Sequence, residues 1–384
     1  MQFPSRVWRH FDVLLLAGTA VLTIAGVAMI RSAIGGNENL AELVPRQAIY
    51  AVIGFAVVLI VAAIDYRMWS GLARPLYLFT VGILALIQIA GFVGFGAARW
   101  FNVGIATIQP SELAKILMIL VMAEYFSHNQ TDLQRFSTVV RGLVLVGVPV
   151  FLIFIQPDLS TAIVLVVIWF AQVWAAGVRL RHLVLLVAIA LLVVLIVLPF
   201  MARYFVTGYV NGENFLFLQH YQMERLVTFL LPDPNVQHGA SYNVNQALIA
   251  IGSGGLFGEG YGHGTQVQLR FLKVRHTDFI FSAMSEEFGF AGAVVFLIIL
   301  MFVILRCLRA ARFARDTYGA LICYSVSILL LFQGAFNVGM NLNMFPVSGL
   351  PLPFLSYGGS SLLASLFGVG LVESVNLRHK QIEL

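Results

Sequence analysis

Three cations, an imidazole and a carboxylate are crowded into Arg270-Phe271-Leu272-Lys273-Val274-Arg275-His276-Thr277-Asp278, directly before an apolar run that opens Phe279-Ile280-Phe281. Two chemistries suit Asp278 there. A carboxylate at the start of a helix caps its unpaired N–H groups, with Glu286 and Glu287 about two turns further on. A carboxylate beside cations at a membrane interface is equally a general base for a lipid-linked substrate. Periodicity leaves both open and leans to the cap. Glu112 and Lys115 are the second place where charge is out of context, because they stand inside an apolar segment behind Gln109-Pro110-Ser111. A charge within a span costs about 2.5–3.5 kcal/mol on insertion scales. Their spacing of three puts both on one helical face, where each neutralises the other. They form either a buried ion pair that aids packing or a pair lining a polar cavity. Asp158 follows Gln156-Pro157 at the first turn of a helix, where the dipole favours a carboxylate; a simple cap is the plain alternative.

Weaker signals surround these. Arg46 and Arg99 either snorkel to headgroups or hold an anion such as a lipid pyrophosphate through bidentate contacts. Gly252-Ser253-Gly254-Gly255, with Gly258 and Gly260, is shaped like a phosphate-cradling loop but follows no βαβ strand. Ser356-Tyr357-Gly358-Gly359-Ser360-Ser361 either permits close helix approach or turns N–H groups toward an anion. His220, His238, His263 and His276 match no zinc spacing. Cys307 and Cys323 form no disulfide framework.

The elements that must position these residues are membrane helices. Of 384 residues 60% are hydrophobic and 11% charged, with a mean hydropathy of +0.90; a soluble domain carries about a quarter charged. Apolar blocks predict ten spans near 12–33, 44–64, 75–95, 111–127, 139–155, 158–177, 182–205, 279–305, 317–341 and 354–376, the first an uncleaved span rather than a signal peptide. With the N-terminus inside, the inner segments carry fourteen cations, from Arg6 to Lys380, against Arg31, Arg46, Arg99 and Arg203 on the short outer loops. That bias places both termini in the cytoplasm. The expected fold is an all-α integral membrane protein, one domain over residues 1–384. A large ordered extracytoplasmic loop, about 206–278, joins spans 7 and 8. Within it, Phe215–Leu231 and Tyr242–Phe257 are apolar enough to lie in the interface as amphipathic helices. The net charge of +5 is explained by Arg-rich inner loops, and no basic helix with interleaved aromatics points to nucleic acid.

Taken together these residues resemble the SEDS family (shape, elongation, division and sporulation), from the first span to the last. The resemblance is carried by Gly96–Trp100, Gln109-Pro110-Ser111-Glu112-Leu113-Ala114-Lys115, Gln156-Pro157-Asp158-Leu159 and the stretch from Gln246 through Gly260. It continues through Gly264-Thr265-Gln266, His276-Thr277-Asp278-Phe279-Ile280-Phe281, Phe336-Asn337-Val338-Gly339-Met340 and Pro351-Leu352-Pro353-Phe354-Leu355-Ser356-Tyr357-Gly358-Gly359-Ser360. It implies a peptidoglycan glycosyltransferase of the bacterial cytoplasmic membrane. Such an enzyme polymerises lipid II, a disaccharide-pentapeptide on undecaprenyl pyrophosphate, at the outer face. Its implied partners are a class B penicillin-binding protein and other elongation-complex membrane proteins. The resemblance makes Asp278 the essential acid and puts Glu112 and Lys115 in a central cavity. Pro351-Leu352-Pro353 matches the RodA branch better than the FtsW branch, which implies elongation rather than division. Two stretches depart from the family: Gly258-Glu259-Gly260 stands where Gly-Lys-Gly is common, and Leu272-Lys273-Val274-Arg275 where Leu-Pro-Glu is common.

The implied chemistry needs one base to take a proton from a sugar hydroxyl. It also needs cations, or a divalent metal such as Mg or Mn, to absorb charge developing on the pyrophosphate; no organic cofactor is called for. Asp278 is the expected base, or the holder of a metal that positions the acceptor. Arg46, Arg99, Arg270 and Lys273 are expected phosphate contacts, and Gln109, Ser111, Asp158, His276, Ser356 and Tyr357 are expected to line the site. The rival readings are a lipid II flippase, against which no inverted repeat is seen, and a non-enzymatic scaffold.

Overall fold

A computed structural model describes residues 10–35, 40–90, 92–94, 97–102, 107–211, 225, 229, 239–272 and 274–379. Ten long helices follow the ten apolar runs in order. They are α1 (Val13–Ile34), α2 (Leu43–Ala63), α4 (Ala73–Ala90), α5 (Pro110–His128), α6 (Phe136–Ile155), α7 (Leu159–Ala175), α8 (Leu180–Asn211), α11 (Ile280–Phe313), α12 (Thr317–Asn341) and α13 (Gly359–Asn376). Among the described residues the shorter helices α3 (Arg67–Gly71), α9 (Gly239–Ser253) and α10 (Thr265–Gln268) are interleaved. α9 covers most of the expected Tyr242–Phe257 helix. The expected Phe215–Leu231 helix lies outside the described residues except for 225 and 229.

Length and apolarity suit six of these helices to crossing a membrane: α1, α2, α6, the Leu180–Val197 part of α8, α11 and α12. α4 and α7 are apolar but shorter. α5 and α13 belong to neither group, and packing explains why. α5 is surrounded by α4, α6, α7, α12 and α13, and it buries Ser111, Glu112 and Lys115 along with its apolar residues. α13 lies along α2, its main partner, and also touches α5, α11 and α12. A helix walled by protein need not be apolar on every side. α8 is the opposite case. No described element packs on it extensively, only 11% of its apolar stretch is buried, and its outward leucines and valines suit lipid.

Small residues bring α13 and α2 together. A Cβ on Gly359 would sit 2.6 Å from the Tyr50 ring, and one on Gly370 would sit 3.0 Å from Val61 Cβ. The Gly358-Gly359 stretch therefore serves close helix approach, the first of its two expected uses.

The third apolar run ends sooner than the sequence suggests. α4 stops at Ala90, and an antiparallel three-stranded sheet follows: β1 (Phe92–Gly94), β2 (Ala97–Asn102) and β3 (Thr107–Ile108), with Phe92 opposite Trp100 and Phe101 opposite Ile108. Gly91, Gly94 and Gly96 disfavour helix, while the aromatic and β-branched residues between them suit strands. This small sheet is an addition to the all-α expectation.

The glycine-rich segment has a structural task. α11 breaks at Gly289, whose φ is +66°, and the 254–260 segment fills the break. Glu259 N and Gly260 N donate to Glu286 O and Glu287 O at 3.0 and 2.9 Å, while Phe290 N and Ala291 N donate to Gly255 O and Leu256 O at 2.9 and 3.0 Å. Backbone groups released by the break are thereby satisfied, as a lipid-embedded helix requires. A Cβ on Gly258 would lie 2.2 Å from Glu287 O, which is why only glycine fits. The N–H groups of Glu259 and Gly260 are spent on this ladder, so the segment is not a phosphate cradle.

The end of the bundle away from the long loop is tied by an ion pair and a main-chain hydrogen bond. Arg306 Nε donates to Asp12 Oδ2 at 2.7 Å and Asp12 N donates to Glu373 Oε2 at 3.0 Å, which joins α11, α1 and α13.

Candidate active site

The start of α11 differs from what periodicity predicts. Asp278 does not cap it: the cap position falls to Phe279, with no side-chain cap bond. The cause is the turn before it. Thr277 N and Phe279 N both donate back to Val274 O, at 3.2 and 3.4 Å, and Val274 sits at φ +54°. A left-handed β-branched residue costs about 1–3 kcal/mol and persists only where its surroundings hold it.

Three consecutive main-chain carbonyls supply that hold. His276 O accepts from Tyr357 N at 2.9 Å. Thr277 O accepts from Ser356 Oγ at 2.7 Å. Asp278 O accepts from the amides of Asn337 and Asn341 at 3.1 and 3.0 Å. Asn341 also accepts from Ser282 N and Oγ, and Asn337 donates to Leu350 O at 2.8 Å. Both asparagines are fully buried. The backbone at 276–278 is thus fixed between α12 and the 348–357 segment, and the Asp278 carboxylate makes no cap bond to the helix it precedes. The Phe336–Met340 stretch drew notice in the sequence only as part of a pattern; Asn341 lay just beyond it.

The partner facing that carboxylate is Arg225. A Cβ on Gly349 would lie 3.8 Å from Asp278 Oδ2 and 3.9 Å from Arg225 Nη1, so both charges converge on this glycine. Burial pushes the Asp278 carboxyl above the usual carboxylate range, and the Arg225 guanidinium and the Thr277 hydroxyl pull it back. Burial, then the Arg275 charge, holds the His276 imidazole below its ordinary value. Its ring meets Tyr357 edge-on at 6.0 Å. Arg225 was hidden in a segment that reads as an apolar interface helix. The signal that exposes Glu112, a charge within an apolar run, was available for Arg225 as well.

The other expected residues sort into two groups. Asp158 caps α7 by accepting from Thr161 N at 3.2 Å. Its second oxygen accepts from Gln109 Nε2 at 3.1 Å and Ser111 Oγ at 3.3 Å, so it also pins the start of α5 to the start of α7. Gln109 N donates to Ser360 Oγ, and Ser160 Oγ to Ser348 O. The 348–360 segment therefore joins this cluster to Asp278. Lys115 and Glu112 pair at 2.8 Å with side chains 1% and 6% exposed. They form a buried ion pair on a helix packed on several sides.

The expected phosphate-binding cations are less uniform. Arg46 is exposed and pairs with Glu42 at 2.6 Å. Arg99 lies on β2 and its side chain is outside the described residues, as is Lys273. Arg270 is exposed at φ +62°. Arg275 turns inward instead: it donates to Ala33 O near the C-terminal end of α1 and to Leu272 O, where a helix dipole favours a cation. Among the described residues no group of three or more His, Cys, Asp or Glu could hold a metal ion.

A family model described as cell cycle protein, FtsW/RodA/SpoVE, matches residues 8–381. The chain belongs to this family. Peptidoglycan glycosyltransferase MrdB of Escherichia coli K12 is 33% identical over 374 residues, which is 97% of this chain and 95% of that protein. A probable peptidoglycan glycosyltransferase FtsW of Geobacter metallireducens is 34% identical over 381 residues, 97% of this chain and 96% of that protein. A solved chain from a peptidoglycan synthase complex that coordinates polymerization and crosslinking is 30% identical. It superposes with a TM-score of 0.77 over 95% of this chain and 97% of that one. These FtsW/RodA/SpoVE relatives match it across nearly their whole length, so the site and the bundle that carries it are compared as one unit.

Proposed function

We infer that the chain is a peptidoglycan glycosyltransferase that polymerises lipid II, with Asp278 as the general base. The observation that carries the role of Asp278 is its release from capping: the backbone around it is fixed on three carbonyls, while its carboxylate makes no cap bond to α11 and lies beside Gly349. In the reaction, the acceptor sugar hydroxyl gives its proton to Asp278 as its oxygen bonds to the donor sugar's anomeric carbon. The bond from that carbon to the pyrophosphate oxygen breaks, and the lipid pyrophosphate leaves with the electron pair. A base contributes about 10²–10⁴-fold to such a step. One in-line displacement turns an α-linked donor into a β-1,4 product.

Arg270, Arg46, Arg99 and Lys273 remain the candidates to meet the pyrophosphate, with Arg46 first having to leave Glu42. A divalent cation prefers several oxygen ligands; it would find one protein carboxylate at Asp278 and complete its shell from phosphate and water. The arginine bias supports an orientation with the long loop and Asp278 on the outer face of the bacterial cytoplasmic membrane and both termini inside. A class B penicillin-binding protein is the partner this assignment calls for. Relatives of both branches are about equally similar, and it is Pro351-Leu352-Pro353 that supports a role in elongation.

The flippase reading gains one point from the broken α11, because discontinuous helices mark transport paths. The break is filled by the 254–260 backbone, however, which pairs the Glu286 and Glu287 carbonyls there. Proteoliposomes with labelled lipid II separate the readings. The expected result is glycan product, lost in D278A while lipid II binding persists. Polymerisation by D278A would remove the assignment of the base, and translocation without product would remove the polymerase.

A further inference from the structure

The residue that completes the site comes from the long loop, not from the helix-start motif. Arg225 Nη1 and Asp278 Oδ2 lie 3.9 and 3.8 Å from the same point, the position a Cβ would take on Gly349. Gly349 itself is at φ +77°, a conformation L side chains rarely adopt. Any side chain there would come into contact with both the carboxylate and the guanidinium. The glycine thus admits the turn and keeps the two charges in mutual reach.

We propose that Arg225 is a positioning residue for polymerisation: across Gly349 it holds Asp278 as its charge partner, orients the carboxylate and keeps it ionised to receive the acceptor's proton. The proposal rests on the reading of Asp278 as the base. An opposite charge a few ångströms away favours the ionised form of an acid, and here it works against the burial of Asp278.

The other groups around Asp278 do not take this part. α12 presents only the uncharged amides of Asn337 and Asn341, both spent on main-chain carbonyls. The 348–357 segment presents Ser356, bonded to Thr277 O, and the Tyr357 ring beside His276. Burial and the Arg275 charge disfavour the charged form of His276. Arg275 is directed to Ala33 O and Leu272 O. Arg225 therefore supplies the cation from outside the helix-start segment.

The test measures kcat and KM for labelled lipid II against pH with the purified full-length chain. Wild type, R225A, R225Q, R225K and D278A are compared, with thermal melts to check folding. In R225A and R225Q the rate at neutral pH is expected to fall on the order of ten- to a hundred-fold, and the acid limb of kcat to move to higher pH. R225K should bring the limb back toward wild type, because it keeps the charge. A role only in folding would lower activity at every pH without moving the limb, and lysine would not restore it. A role only as a phosphate contact would raise KM with the limb in place. An unmoved limb in either neutral variant overturns the proposal. If D278A still polymerises, the assignment of the base fails first; if D278A is inactive and the limb is unmoved, only the role of Arg225 fails.

Discussion

Four aspartates stand directly before or at the start of a long helix, and they meet two different fates. Asp12, Asp158 and Asp316 accept from Leu15 N, Thr161 N and Gly319 N at 3.0, 3.2 and 2.8 Å. Asp278 caps nothing. By sequence all four are good caps. The difference lies in the backbone before the helix. The capping three enter their helices directly, whereas Asp278 is reached through a turn closed on Val274 and held at its carbonyl by two asparagines from α12. A carboxylate that could satisfy a helix is kept from doing so by tertiary contacts. That is a cost in local stability, and it is a reason to look for chemistry there.

The largest expected effect separates the two fates directly. D278N should lower polymerisation by about 10²–10⁴-fold with little change in the melting temperature, since no cap is lost. Quantifying glycan product alongside a thermal melt checks this, and a melt that drops as for a lost cap would erase the distinction. In the same assay, the wild-type rate should fall as pH drops through the raised Asp278 value, because protonation removes the base. The acid limb should therefore lie above that of an ordinary carboxylate.

Glu112 represents a third fate, an acid neutralised by a buried partner. E112Q should cost roughly 3–5 kcal/mol by leaving Lys115 buried and uncompensated, and the double variant E112Q/K115M should recover much of it. Denaturation in detergent reads both. Equal stability of the single and double variants would mean that the pair is not an isolated ion pair.

N341A tests what keeps Asp278 from capping. It leaves Ser282 and one bond to the Asp278 carbonyl unmet, at about 1–3 kcal/mol. Activity should fall more than the melt alone explains, as the carboxylate gains freedom to turn toward α11. Activity that tracks folded fraction alone would show that the asparagines are only packing. The smallest effect belongs to the ordinary caps: D158A should cost about 0.5–2 kcal/mol and leave the position of the acid limb where it is in wild type.

Much of the fold was legible because lipid imposes a simple rule on sequence. Ten apolar runs became ten helices, with ends shifted by a few residues; α13 starts at Gly359 rather than 354, and α8 runs on to Asn211. The rule weakened where it ceased to apply. Glycines after Ala90 turned the end of one run into a small sheet, and α5 and α13, shielded from lipid, carry polar residues that a hydropathy reading marks as interruptions. Asp158 as a cap, the Glu112–Lys115 pairing and the close approach at Gly359 follow from local spacing, and all were readable. The use of Gly254–Gly260 to splice α11 was not, since the break at Gly289 lies in a different element.

By itself the sequence determined which residues are helical, which charges lie in apolar surroundings and which family pattern they compose, because these depend on composition and spacing along the chain. Only the tertiary structure decided which carboxylate is left uncapped and which cation faces it. Asp278, Asn341, Gly349 and Arg225 come from separate segments, and no local rule relates them. Their relation is fixed by how α12 and the 348–357 segment grip the turn before α11, which is a matter of packing rather than propensity.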